Sequence, residues 1–249
     1  MKILVISDVH ANPAALDAGL DAAGDGYRGI LFLGDMTGYG YDPEGCIRRL
    51  SELSRSLRPA WILIGNHDAA LSGRVPLDWF NPEVQGSVLR TREILSAESL
   101  GWLASLPDHG NLGGGAIAFH GSPEQPLVEY LWGGAETQNA FSFMRKNSFR
   151  TGFCGHTHEV AVFDAASRTG VRHPAPGTLV SLDSAPVIVN PGSVGFPRSF
   201  TPAGEDREPI SEASFPAYYA VWDTEACTVR FLAARYDRRP VEEAISRLG

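Results

Sequence analysis

The sequence predicts an α/β fold in which two β-sheets form one domain spanning residues 1–249. Three observations predict it. Short β-branched runs alternate with amphipathic helical patterns through the first part of the chain, and after residue 158 strand patterns follow one another almost without helices. The motifs rich in metal-binding side chains straddle both parts, so a domain boundary between them would cut one site in two.

The first strand is expected at residues 2–7, a continuous apolar run of the kind buried on both faces. Asn12-Pro13 opens an Ala/Leu helix with a side-chain cap and a proline in its first turn. A second buried strand, 29–33, ends in Gly34-Asp35. Asp42-Pro43 then starts a helix running to about residue 57, with Ile47, Leu50, Leu53 and Leu57 on one face. A third strand, 60–64, leads into Gly65-Asn66-His67-Asp68. Residues 74–106 read as helical, with separate segments at 83–95 and 97–106. Residues 115–119 return to strand before His120-Gly121, 134–147 to helix, and 150–154 to strand before Gly155-His156-Thr157-His158. Further strands are expected at 160–164, 178–182, 187–190, 217–223 and 229–236, with a closing helix at 240–248. The Pro/Gly/charge-rich stretch 196–215 is expected to be a mobile loop.

Composition narrows the function. The chain is 43% hydrophobic and 20% charged, as suits an ample core, and carries a net charge of −8. With no diffuse basic surface, a nucleic-acid polymer is not expected as a standing partner. No run approaches the roughly 20 apolar residues of a membrane span, and the short run at 3–6 is no signal peptide, so a cytoplasmic protein without membrane contact is expected. Cys46, Cys154 and Cys227 lack ligand-like spacing and are expected to be buried free thiols.

Five of the seven histidines lie in short motifs, each at the end of an expected strand: Asp8-Val9-His10, Gly34-Asp35, Gly65-Asn66-His67-Asp68, His120-Gly121 and Gly155-His156-Thr157-His158. Open α/β sheets place their sites at these carboxyl ends. In an extended strand end, residues i and i+2 point the same way, so Asp8 with His10 and His156 with His158 form two converging pairs. Asp35 and Asn66 add a carboxylate and a neutral carbonyl. So many donors are expensive to bury without a cation among them, and one carboxylate can bridge two cations; a two-metal centre is the economical explanation.

In this order and spacing the motifs resemble the calcineurin-like metallophosphoesterase superfamily. The similarity extends through Asn190-Pro191-Gly192-Ser193, and the small bacterial and archaeal phosphodiesterase-like members also share the Gly38-Tyr39-Gly40 stretch. The resemblance implies a four-layer α/β/β/α sandwich of two mixed sheets, with the metal site at the strand carboxyl ends. It implies one metal on Asp8, His10, Asp35 and His158, a second on Asp35, Asn66, His120 and His156, and His67 as the catalytic histidine. The imidazole, carboxylate and amide donors suit two divalent ions among manganese, iron, zinc, cobalt and nickel. The implied activity is hydrolysis of a small phosphoester by metal-activated hydroxide.

Gly38 and Tyr39 stand where the phosphoprotein phosphatases of this superfamily carry an aspartate and an arginine. That favours a phosphodiesterase over a phosphomonoesterase or protein phosphatase. A non-catalytic metal-binding scaffold on the same fold is the other alternative, and retention of every donor and of His67 argues against it. A DNA-end nuclease would need basic surface that this chain lacks. Arg198 is a candidate phosphate clamp, with a solvated loop arginine its equal alternative. Tyr130 and Trp132 follow His120 closely enough to line a site mouth and stack on a base, but packing is the expected role, since aromatic side chains mostly serve cores. His109, His173 and Asp68 are expected to be structural or solvated, Asp68 by orienting its own loop.

Overall fold

The computed structural model describes residues 1–167, 170–183, 186–198 and 216–247. Its strands are β1 (Lys2–Ile6), β2 (Gly29–Phe32), β3 (Ala60–Ile62), β4 (His109–Gly113), β5 (Ala116–Phe119), β6 (Thr151–Phe153), β7 (Val160–Asp164), β8 (Val171–Arg172), β9 (Leu179–Ser181), β10 (Val187–Pro191), β11 (Ala217–Asp223) and β12 (Thr228–Ala234). Its helices are α1 (Pro13–Ala23), α2 (Pro43–Ser56), α3 (Asn66–Leu71), α4 (Pro82–Ile94), α5 (Ala97–Ser105), α6 (Ala135–Lys146) and α7 (Arg239–Ser246). Four helices start on side-chain caps: Asn12, Asp42, Asn81 and Ser96 each accept a backbone N–H three residues on.

Three elements escape the sequence pattern. Strand β4 is His-Gly-Asn-Leu-Gly, which has neither alternation nor β-branched residues, and it forms by pairing antiparallel with β5. Strand β8 is two residues long, and α3 is a six-residue helix beginning inside the Gly-Asn-His-Asp motif. Beyond residue 198, the loop expected at 196–215 lies outside the described residues, as does the last residue of the expected closing helix.

The strands make two mixed six-stranded sheets, ordered β3-β2-β1-β11-β12-β9 and β4-β5-β6-β10-β7-β8. In the first, β1, β2 and β3 run parallel and the rest pair antiparallel; in the second, β5, β6 and β10 form the parallel core. Alternate side chains of each strand enter different layers. Leu4, Ile6, Ile30 and Phe32 pack outward against Leu16, Ile47, Leu50 and Leu103 of the helices. Ile3, Val5 and Leu31 turn the other way and meet Phe153, Val187 and Val189 between the sheets. On the far side, Phe119, Phe163 and Ile188 pack against Phe141 and Met144 of α6. Helices, sheet, sheet and helix thus stack in the expected four layers. The parallel strands of both sheets end at the same edge, where the motifs lie.

Cys46 and Cys154 are buried as expected, whereas Cys227 is exposed: it sits in the β11–β12 turn rather than inside a strand. Among the described residues no helix is long and apolar enough to cross a membrane.

Candidate metal centre

Seven donor-bearing side chains converge from five strand ends. Asp8 and His10 follow β1, Asp35 follows β2 and Asn66 follows β3, all in the first sheet; His120 follows β5 and His156 and His158 follow β6, in the second. All seven are buried. One ligand atom from each of Asp8, His10, Asp35 and His158 falls within a mutual 4.8 Å, and the same holds for Asp35, His120 and His156. Asp35 is common to both groups. Asn66 joins the second, its Oδ1 lying 3.1 Å from His120 Nε2.

The pairs converge by a different route from the one the alternation of a strand suggests. The strands have ended, and Asp8, His10, Asp35, His156 and His158 have φ of 54°, 49°, 58°, 69° and 63°. These are left-handed conformations that non-glycine residues adopt at a cost of about 1–2 kcal/mol each. Of the nine described non-glycine residues with positive φ, only Ser148 and Cys227 lie away from these loops, so strain is concentrated at the site. Gly65 allows a close approach that no side chain would: a Cβ there would collide with Asp35 Oδ1.

Hydrogen bonds set which nitrogen each imidazole presents. His10 Nδ1 lies 2.9 Å from the Thr37 carbonyl, His120 Nδ1 2.8 Å from that of Leu33 and His158 Nδ1 2.7 Å from that of Phe196. A carbonyl only accepts, so Nδ1 carries the proton and Nε2 faces the cluster, the arrangement in which a metal-binding histidine is oriented by its backbone. His10 Nε2 and His158 Nε2 then confront each other at 2.9 Å, lone pair against lone pair. Burial holds both rings neutral, His10 well below the usual range and His158 down at about 3. His156 Nε2 is buried with no hydrogen-bond partner. Opposed lone pairs and an orphaned nitrogen are what a cation would relieve, so the residues fit metal ions.

The carboxylates divide their charge unequally. Burial raises Asp8 to about 7, although both its oxygens accept the His156 N–H at 3.2 and 3.3 Å. Burial also opposes ionisation of Asp35, but the charge of His120 and its hydrogen bond to the carboxylate outweigh it and hold that carboxyl well below the ordinary range. His120, conversely, is held up at about 9 by Asp35 despite its burial. Asp35 is therefore the anionic centre, with His120 Nε2 and His10 Nε2 at 3.4 and 3.7 Å from its Oδ2.

His67 stands beside the cluster at the start of α3. Its backbone N–H donates to Asp35 Oδ1 at 3.0 Å, while its ring packs among His10, Tyr39 and Phe80. Burial lowers its pKa, and Nδ1 has no partner. Gly38, at φ 90°, explains why: a Cβ at this position would lie 2.5 Å from that nitrogen, so the loop meets the ring where an orienting acid is missing.

Asp68 orients more than its own loop. Its carboxylate accepts from Gly65 N (3.2 Å), Met36 N (3.1 Å), Thr37 N (3.0 Å) and Thr37 Oγ1 (2.7 Å), tying the β3 end to the β2 end. Asn190 and Ser193 were legible only as a motif. Asn190 Nδ2 donates to Gly155 O at 2.7 Å and Ser193 Oγ to Asp8 O at 2.7 Å, bracing donor loops of both sheets. Arg198 is exposed, and its backbone N–H donates to His158 O at 3.3 Å, which sets the residue beside the site.

Tyr130 and Trp132 overturn the packing expectation. They are 40% and 51% exposed, Tyr130 lies face to face with His156 (3.7 Å between centroids, 14°), and Trp132 continues the stack (5.9 Å, 13°). His109 is solvated beside Asp108, and His173 is half-buried with Nδ1 on Val160 O, both outside the cluster.

Comparison with known proteins agrees with this geometry. Residues 1–204 match the calcineurin-like phosphoesterase superfamily domain. The chain is 30% identical over 251 residues to an uncharacterized protein of Methanocaldococcus jannaschii, covering 98% of this chain and 91% of that one. The crystal structure of a metallophosphoesterase from Sphaerobacter thermophilus superposes with a TM-score of 0.80 at 32% identity, over 100% of this chain and 95% of that one. A hypothetical protein from Pyrococcus horikoshii shares the fold, with a TM-score of 0.74 at 20% identity over 99% and 93% of the two chains. The chain belongs to the calcineurin-like phosphoesterase superfamily.

Proposed function

We propose that the protein is a cytoplasmic phosphodiesterase with a dinuclear metal centre, acting on small phosphoesters and built as a single domain over residues 1–249. The observation that carries this reading is the pair of buried donor groups sharing Asp35. Asp8, His10, Asp35 and His158 would hold one ion, and Asp35, Asn66, His120 and His156 the other. Donors from both sheets support the single domain.

Two divalent ions, manganese being one candidate, would neutralise phosphoryl charge and lower the pKa of water, so that hydroxide is available near neutrality. The chain's own residues then bind, orient and protonate. His10, His120 and His158 are oriented with Nε2 towards the cluster by the Thr37, Leu33 and Phe196 carbonyls. His67 is the motif imidazole outside both donor groups, and it would protonate the leaving oxygen. Burial keeps it neutral in the free protein; an anionic phosphoester beside the ring raises its proton affinity, so its protonation follows substrate binding. Arg198 can contribute charge from the rim.

The missing acid and arginine at Gly38 and Tyr39 set the substrate preference. A diester carries one negative charge fewer than a monoester dianion and depends less on an arginine clamp. Metal-loaded protein should therefore show higher kcat/KM on bis(p-nitrophenyl) phosphate than on phosphoserine or phosphothreonine peptides. The two substrate types are compared on one preparation. A clear preference for the peptides would overturn the diester assignment and make Arg198 the first residue to replace as the clamp.

A further inference from the structure

A cavity of about 120 Å3 opens beside Trp132, and its lining includes Thr157, the residue between two of the donor histidines. Trp132, Leu131, Phe163 and Val171 wall it with apolar surface, and Glu159 and His173 add polar groups. Thr157 and Glu159 alternate with His156 and His158 along the chain, so the cavity adjoins the loop that brings two histidines to the cluster. On the opposite side the His156–Tyr130–Trp132 stack leads from the same cluster to the cavity wall. The cavity is well below the roughly 300–1,000 Å3 that encloses a drug-sized ligand, so it admits one ring system and not a whole molecule.

The wall is fixed in advance. Trp132 N and Gly134 N donate to Glu136 Oε1 at 2.9 and 2.8 Å, and Gly133 N to Thr137 Oγ1 at 3.1 Å, which ties the loop to the first turn of α6. A single exposed aromatic residue needs no explanation. Two near-parallel rings, held on a braced loop and ending at a cavity with a polar edge, have the form of a stacking platform. An alkyl chain would leave Glu159 facing apolar atoms, whereas a nucleobase offers a π-face to Trp132 and hydrogen-bonding edge groups to Glu159 and His173. The net charge of −8 disfavours a polymer and leaves a mononucleotide or short nucleotide ester.

We propose that this cavity is a nucleobase subsite, with Trp132 as its stacking wall, and that the substrates are nucleotide phosphoesters. The proposal rests on the phosphoesterase reading above. Calorimetric titration of manganese-loaded protein with AMP and with ribose 5-phosphate isolates the base, since the two ligands share the sugar and the phosphate. AMP should bind about tenfold tighter, the scale of one base stacked on one aromatic ring. Trp132→Ala should bring the two affinities within about twofold, Trp132→Phe should keep most of the preference, and Val171→Phe, which fills the cavity, should abolish it.

Equal affinities in the wild type, or a preference that survives both Trp132→Ala and Val171→Phe, overturn the proposal. Turnover of bis(p-nitrophenyl) phosphate is measured on the same preparation. Normal turnover without a base preference removes the subsite alone; a base preference without turnover removes the reaction and leaves the subsite.

Discussion

Asp35→Asn should abolish most turnover, by about 100-fold or more, and should release at least one metal equivalent. The amide is isosteric and its oxygen can still accept the His67 N–H, which lies 3.0 Å from Asp35 Oδ1. Shape and local hydrogen bonding are thus kept while the charge is lost. Asp35 is the carboxyl that its surroundings hold ionised, and it belongs to both donor groups. Without that charge, two cations would face each other with no anion common to both. Metal content by elemental analysis and turnover of bis(p-nitrophenyl) phosphate check this together. Wild-type values for both would remove Asp35 from the bridging position.

His67→Ala should behave oppositely on the first measurement. His67 lies beside the donor groups without belonging to either, so both metals should remain bound. Turnover of esters with poor leaving groups should fall by about 10²–10⁴-fold, the usual contribution of general acid catalysis. The defect should shrink for p-nitrophenyl esters, because p-nitrophenolate leaves almost without a proton. Loss of metal from this variant would make His67 a ligand or a structural residue. A uniform defect across leaving groups would remove it as the acid.

Much of the fold is legible in the sequence because its central strands are buried on both faces and its helices are capped by side chains that name themselves. Residues 2–7 and 29–33 read as strands from apolar runs alone, and Asn12, Asp42 and their prolines mark helix starts. Strands β4 and β8 are different in kind. Nothing in His-Gly-Asn-Leu-Gly or in the two residues Val171–Arg172 prefers a strand; pairing with β5 and β7 makes them so, and that is long-range information.

The candidate site divides along the same line. Every donor was legible as a residue type at a strand end, but the geometry that gathers them was not. Alternation along a strand was the expected device, whereas the structure uses left-handed backbone at Asp8, His10, Asp35, His156 and His158. Gly38 was legible as a missing acid, and only the packed loop shows that it also leaves His67 Nδ1 without a partner. Tyr130 and Trp132 misled because an aromatic residue's burial depends on what the fold places over it. Here one face of Tyr130 is covered by His156 and the stack beyond it stands open.

The most direct test of the dinuclear reading is anomalous diffraction from crystals of the protein grown with manganese. Two peaks flanking the Asp35 carboxylate are expected, about 3.5–4 Å apart, one beside His10 and His158 and the other beside His120 and His156. A single peak, or peaks that leave Asp35 out of contact with either ion, would contradict it.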